Sequence, residues 1–141
     1  AGVAEGPNSP YLEDLQTGLE AAPHATALGK ALLLTLPPRV RRAMLAESGM
    51  RRFTAATPQR PEDLEAELSG LREGQVVEEH GQFRENVACA AVVVPGSGSG
   101  TRWAIGMSAR GLELPDWTHD RLREAARDLA GSTSRQAAGR Q

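Results

Sequence analysis

With 141 residues, 40% of them hydrophobic and 24% charged, the chain is long enough to bury one core without metal or disulfide staples, and its composition fits neither a disordered chain nor a membrane protein. Sixteen basic residues against eighteen acidic ones give a formal net charge of −2, where a free-standing nucleic-acid-binding domain carries a basic excess. The longest apolar run, "ACAAVVV", is far short of the ~20 residues that span a bilayer, no basic-then-apolar leader opens the chain, and the single cysteine, Cys89, excludes an internal disulfide, so a cytoplasmic protein with no membrane partner is expected.

The opening "AGVAEGPNSP" reads as loop and carries no initiating Met, so an upstream part is expected. "YLEDLQTGLE" alternates weakly and is read as a short strand. "HATALGKALLLTL" predicts a helix with Thr26 as N-cap and Leu28, Ala31 and Leu32 on one face. Pro37 and Pro38 end it, because neither can continue the hydrogen-bond ladder. "PRVRRAMLAES" predicts a second short helix with Val40, Ala43 and Met44 facing inward and Gly49 closing it. "MRRFT" is read as a brief strand. "TPQRPEDLEAELSGLREG" gives the clearest helical signal: Pro61 suits the first turn, and Glu62 and Asp63 suit the positive end of the dipole. Leu64, Leu68 and Leu71 follow at helical spacing, with Gly74 as the stop.

Strands follow. "QVVEEHGQF" starts β-like, and "NVACAAVVV" is the near-continuous apolar run of a strand covered on both faces. "PGSGSG" is a turn. "TRWAIGMSAR" alternates, with Trp103, Ile105, Met107 and Ala109 on a bulky face that must be core and Ala104, Gly106 and Ser108 on an emptied one. The two runs read as an antiparallel hairpin. "LPDWTHDRLREAARDLAG" predicts a terminal helix with Leu122, Ala125, Ala126 and Leu129 inward, and "STSRQAAGRQ" a frayed polar tail. The fold class is therefore α+β: an antiparallel sheet with helices packed on it.

Four groups of residues could carry chemistry. Unpaired N–H groups at the start of the "HATALGK" helix would suit a carboxylate or phosphate, with His24, Thr26 and Lys30 adding donors. The alternative is that Thr26 is only a cap and Lys30 a solvated charge. The emptied hairpin face, with glycine inside a strand, suggests a pocket, or else close packing of the small-residue helix. Cys89 with His24 or His80 could form a nucleophile and its base. However, Cys89 sits in a strand interior, and a lone cysteine there behaves as a small hydrophobe. Glu78, Glu79 and His80 offer metal-ligand chemistry, but neighbours on a strand point to opposite faces. No metal, cofactor or catalytic residue is assigned.

"PHATALGKALL" resembles the signature of the effector-binding domain of IclR-family transcriptional regulators. So do "RRFTAATPQRPEDLEAELSGLREG", "ENVACAAVVV" and "WAIGMSARG", in that order, over residues 18–111. The resemblance implies a GAF-like domain at residues 1–131 that lacks its first strand or strands, followed by a disordered tail at 132–141. It implies a small organic or aromatic acid as effector, no enzymatic activity, and homodimers or homotetramers. DNA would be bound only through a winged helix-turn-helix outside this sequence. Family pocket positions fall on Ala27 and Leu28 at the helix start, on Glu79, Val87 and Cys89, and on Gly106 and Ser108. With Thr26, these make the expected effector-binding set.

The sequence departs from the family pattern at four places. Asn86 stands where a Gly is common, and "VEEHGQ" replaces an acidic stretch with one extra residue. Gly106 replaces a common Ser, and Leu28 is larger than the small residue of some members. Effector identity therefore does not transfer. The rival readings are a ligand-free oligomerisation scaffold and a Cys-dependent enzyme.

Overall fold

The apolar run that begins at Val87 becomes the middle strand of the sheet. The computed structural model describes residues 22–96 and 102–139. The strand expected in "YLEDLQTGLE" and most of the "PGSGSG" turn lie outside the described residues. In chain order the elements are α1 (Ala27–Leu33), α2 (Pro38–Ser48), α3 (Pro61–Leu68), β1 (Val77–His80), β2 (Val87–Val93), β3 (Ala104–Arg110) and α4 (Thr118–Ala138). The three strands form an antiparallel sheet in the order β1-β2-β3, so the α+β class holds. No helix among the described residues is long and apolar enough to cross a membrane.

Alternation along β2 divides the core between the two sheet faces. Ala90, Val92 and Val94 join Val76 against Leu122 and Ala126 of α4, with Ile105 and Met107 packed alongside. Ala91 and Val93 join Val77 against Ala27 and Ala31 of α1, with Leu28, Cys89 and Ala104 at the margin. Leu33, Leu45, Leu64 and Leu68 form a third cluster that ties α1, α2 and α3 together. Fully burying each such leucine stabilises the fold by about 1.5–3 kcal/mol.

Several sequence expectations are corrected. α2 turns Arg41 and Leu45 inward, while Ala43 and Met44 are exposed and Val40 is half-buried. Arg41 is buried because its guanidinium forms a two-pronged pair with Glu65 of α3 (2.9 and 2.7 Å) and donates to the Leu36 carbonyl at 2.8 Å. "MRRFT" forms no strand. α3 stops at Leu68, where Ser69 turns extended, although Leu71 still packs against two clusters. Trp103 lies just before β3 and is 54% exposed, so its side chain is not core. On α4 the inward series is Leu122, Ala126 and Ala130, with Ala125 and Leu129 exposed. The helix runs on to Ala138, through most of the segment expected to fray.

Candidate functional site

The sheet face beneath α1 carries a row of three polar side chains. Strand register places Glu79 of β1 opposite Cys89 of β2, and Cys89 opposite Ser108 of β3. The next row on the same face is Val77, Ala91 and Gly106. Seven of the eight expected site residues therefore share one side of the fold: Glu79, Val87, Cys89, Gly106 and Ser108 on the strands, and Ala27 and Leu28 on α1. Val87 lies two residues along β2 from Cys89, half-buried and opposite Arg110.

Thr26 has a structural task. Its hydroxyl accepts from Gly29 N (3.1 Å) and donates to the Ala22 carbonyl (3.2 Å), capping α1. Gly29 is required there, because a Cβ would lie 2.5 Å from Pro23 Cα. Lys30 N pairs with the Thr26 carbonyl, which leaves the Ala27 and Leu28 N–H groups as the first-turn donors without a partner among the described residues. Leu28 reaches over the sheet: a Cβ on Gly106 would meet its Cδ2 at 3.2 Å and the Ala90 carbonyl oxygen at 2.9 Å. The emptied strand position is thus the place that the Leu28 side chain occupies from above.

Lys30 is neither a donor at the helix start nor a solvated charge. It is 0% exposed, with Nζ 2.6 Å from Glu67 of α3 and hydrogen-bonded to the Gln82 side chain. Gln82 is a residue the sequence did not single out. Its backbone N–H donates to Glu79 (2.8 Å), its carbonyl accepts from Thr57 (2.5 Å), and its amide donates to Glu67 (2.8 Å). Thr54 donates to the adjacent Gly81 carbonyl at 2.6 Å. Every polar group of Gln82 is engaged, in a turn where Gly81 takes φ 69° and Asn86 φ 59°. The β-like start of "QVVEEHGQF" ends at His80, and the glycine followed by a polar side chain is the turn signal in the sequence.

Glu79 is 2% exposed. Burial pushes its carboxyl above the usual carboxylate range, opposed by the Gln82 N–H, the Cys89 thiol and the Lys30 charge. The Cys89 Sγ lies 3.2 Å from Ser108 Oγ. Burial, and after it the neighbouring Glu79, pushes the thiol up to about 12, so the sulfur stays protonated and is a poor nucleophile at neutral pH. His24 is buried and turned elsewhere: Nε2 meets the Arg51 carbonyl at 2.8 Å, and the ring stands 5.9 Å from Phe53. Burial lowers its pKa, with the Lys30 charge adding to the effect, so it is neutral at pH 7. The expected Cys–His pair is not assembled.

Glu78 and His80 belong to the opposite, α4 side. Glu78 sits between two imidazoles, His80 at 3.1 Å and His119 at 2.8 Å, and His80 Nδ1 meets the Leu112 carbonyl at 2.5 Å. Glu79 does not join them, as strand alternation requires.

The family described as bacterial transcriptional regulator IclR, C-terminal, matches residues 8–135. No curated protein sequence matches. Solved structures do. One is the inducer-binding domain of the PobR transcription factor from Acinetobacter, a double mutant complexed with 3-hydroxybenzoic acid. It is 23% identical with a TM-score of 0.67, over 77% of this chain and 65% of that one. A second is the repressor BlcR of Agobacterium tumefaciens, at 27% identity and a TM-score of 0.64, over 77% and 45%. A third is an IclR homolog from Microbacterium hydrocarbonoxydans complexed with 4-hydroxybenzoate, at 26% and 0.63, over 74% and 42%. The chain spans less than two thirds of the length of each of these three.

Proposed function

The chain belongs to the IclR C-terminal family of bacterial transcriptional regulators, and from that premise we propose that it is a sensor that binds a small organic acid, aromatic acids included, on the α1 face of its sheet. The supporting observation is the in-register row Glu79–Cys89–Ser108 beside the small residues Ala91 and Gly106. It sets hydrogen-bonding groups beside an apolar patch, the combination that specific small-molecule sites use. The hydroxybenzoates bound by two of the similar proteins agree with this class of ligand. Around the row we assign Thr26, Ala27, Leu28 and Val87 as walls, with Thr26 acting through the cap it places on α1.

The proposed mechanism is population shift. The acid biases operator binding only as far as it prefers one state of a cytoplasmic homodimer or homotetramer, and DNA is met through a separate winged helix-turn-helix. The chain alone is expected not to bind an operator at physiological salt. The protonated Cys89, with no histidine partner among the described residues, favours this reading over a Cys-dependent enzyme. Calorimetry with small acids, their amides and matching amines tests it against a ligand-free scaffold. Acids should bind, and a response to amines or neutral amides alone would sink the proposal.

A further inference from the structure

The buried cation beside the row, Lys30, answers two carboxylates, Glu79 and Glu67. Facing Glu79 are Lys30 from α1 and Cys89 from β2, while β3 contributes the uncharged Ser108 and, one row further along the same face, the solvent-exposed Arg110 opposite Val87. Behind Lys30 stands Glu67 from α3, 35% exposed and 2.6 Å from Nζ. The lysine is thus already paired at the rim, and its remaining printed hydrogen bond goes to Gln82, not to Glu79. Glu79 receives backbone N–H donors from Gln82 and Phe83 but no ion pair. An acid arriving beside Cys89 and Ser108 would bring a second unbalanced negative charge into contact with a fully buried carboxylate. Two like charges that close cannot both persist in a dry site.

We propose that Glu79 takes up one proton when an acid binds and, as a neutral carboxyl, donates a hydrogen bond to the bound carboxylate. This rests on the effector-binding reading above and adds to it the group that meets the bound carboxylate. The proton comes from solvent and returns to it when the acid leaves; the O–H bond of Glu79 is the only covalent bond made or broken. The direction of the Glu79 shift agrees, since burial already favours the protonated form. His24 is neutral and bonded to the Arg51 carbonyl, and Cys89 holds its proton throughout, so neither competes for this role.

The test uses the 141-residue chain with benzoate, 3-hydroxybenzoate, 4-hydroxybenzoate and pyruvate as probes. Carbon-detected NMR should find the Glu79 carboxyl titrating above the ordinary range in the free chain, and higher still with an acid bound. Calorimetry in buffers of different ionisation enthalpy should show uptake of about one proton per acid between the free-state and bound-state pKa values of Glu79, with affinity falling about tenfold per pH unit in that window. Glu79→Gln should abolish both uptake and slope yet still bind the acid, because its amide donates. Acid binding without proton uptake, or a slope retained in Glu79→Gln, overturns this inference and leaves the sensor standing. Failure of all four acids to bind both proteins overturns the sensor reading and this inference with it. The NMR titration needs no variant, so a Glu79→Gln protein that fails to fold leaves a decisive measurement: a free-chain Glu79 that titrates at or below the ordinary carboxylate value refutes the proposal.

Discussion

The two faces of the sheet are built from alternate residues of the same three strands, yet they are held by different forces. On the α4 side, Val76, Ala90, Val92, Val94, Leu122 and Ala126 meet as hydrocarbon, with the polar clasp of Glu78 between His80 and His119 kept to the edge. On the α1 side, a fully buried Lys30, a buried Glu79 and the half-buried Cys89 and Ser108 sit among alanines and a glycine. Such buried polar groups cost stability unless each is partnered. Both faces bury a hydrophobic cluster, but only the α1 face adds buried polar groups to it, with the thermodynamic burden they bring.

The largest effect should come from the hydrocarbon face. Leu122→Ala removes a buried side chain from the α4 cluster and should cost about 2–5 kcal/mol in denaturant unfolding. A loss below about 1 kcal/mol would mean that α4 does not anchor this layer. On the polar face, Ser108→Ala should weaken acid binding by about 1.5–3 kcal/mol while leaving the melting temperature nearly unchanged. A comparable drop in stability without loss of binding would exchange the roles of the two faces.

Glu79→Gln sharpens the contrast through pH. Burial raises the folded-state pKa of Glu79 above its unfolded value. Its stabilising contribution is therefore complete below the unfolded pKa and is lost as pH rises through the folded one. The wild-type chain should lose stability relative to Glu79→Gln across that window, and parallel stability–pH curves would contradict this. His80, also raised because the Leu112 carbonyl and Glu78 outweigh burial, shifts stability in the same direction on the other face. It is well exposed, so its part should be small. The smallest effect is expected at Trp103→Ala, under about 0.5 kcal/mol, since the ring lies mostly in solvent.

Alternation in "TRWAIGMSAR" separated the faces correctly at Ile105 and Met107, which pack on the α4 cluster. It failed at Trp103 because a period of two says which way a side chain points, not whether anything covers it. The signature at "HATALGK" located the cap Thr26 but misjudged Lys30, whose partners Glu67 and Gln82 lie 37 and 52 residues away. Arg41 was hidden for the same reason: Glu65, 24 residues on, turns a charge into a core residue. Local pattern carried the elements and the sheet faces. The polar network that surrounds the candidate site is made of contacts distant in sequence, and no local pattern encodes those.

Leu28 over Gly106 constrains how this surface can change over generations. A side chain at position 106 would press on Leu28 Cδ2 at 3.2 Å and on the Ala90 carbonyl oxygen at 2.9 Å. The large side chain at 28 and the missing one at 106 therefore draw on one space. Shortening residue 28 would relieve only the side-chain part of the crowding. The Ala90 carbonyl would still oppose a Cβ at 106, so β2 and β3 would have to part slightly whatever stood at 28. The backbone of the middle strand, more than the residue above it, keeps this position bare.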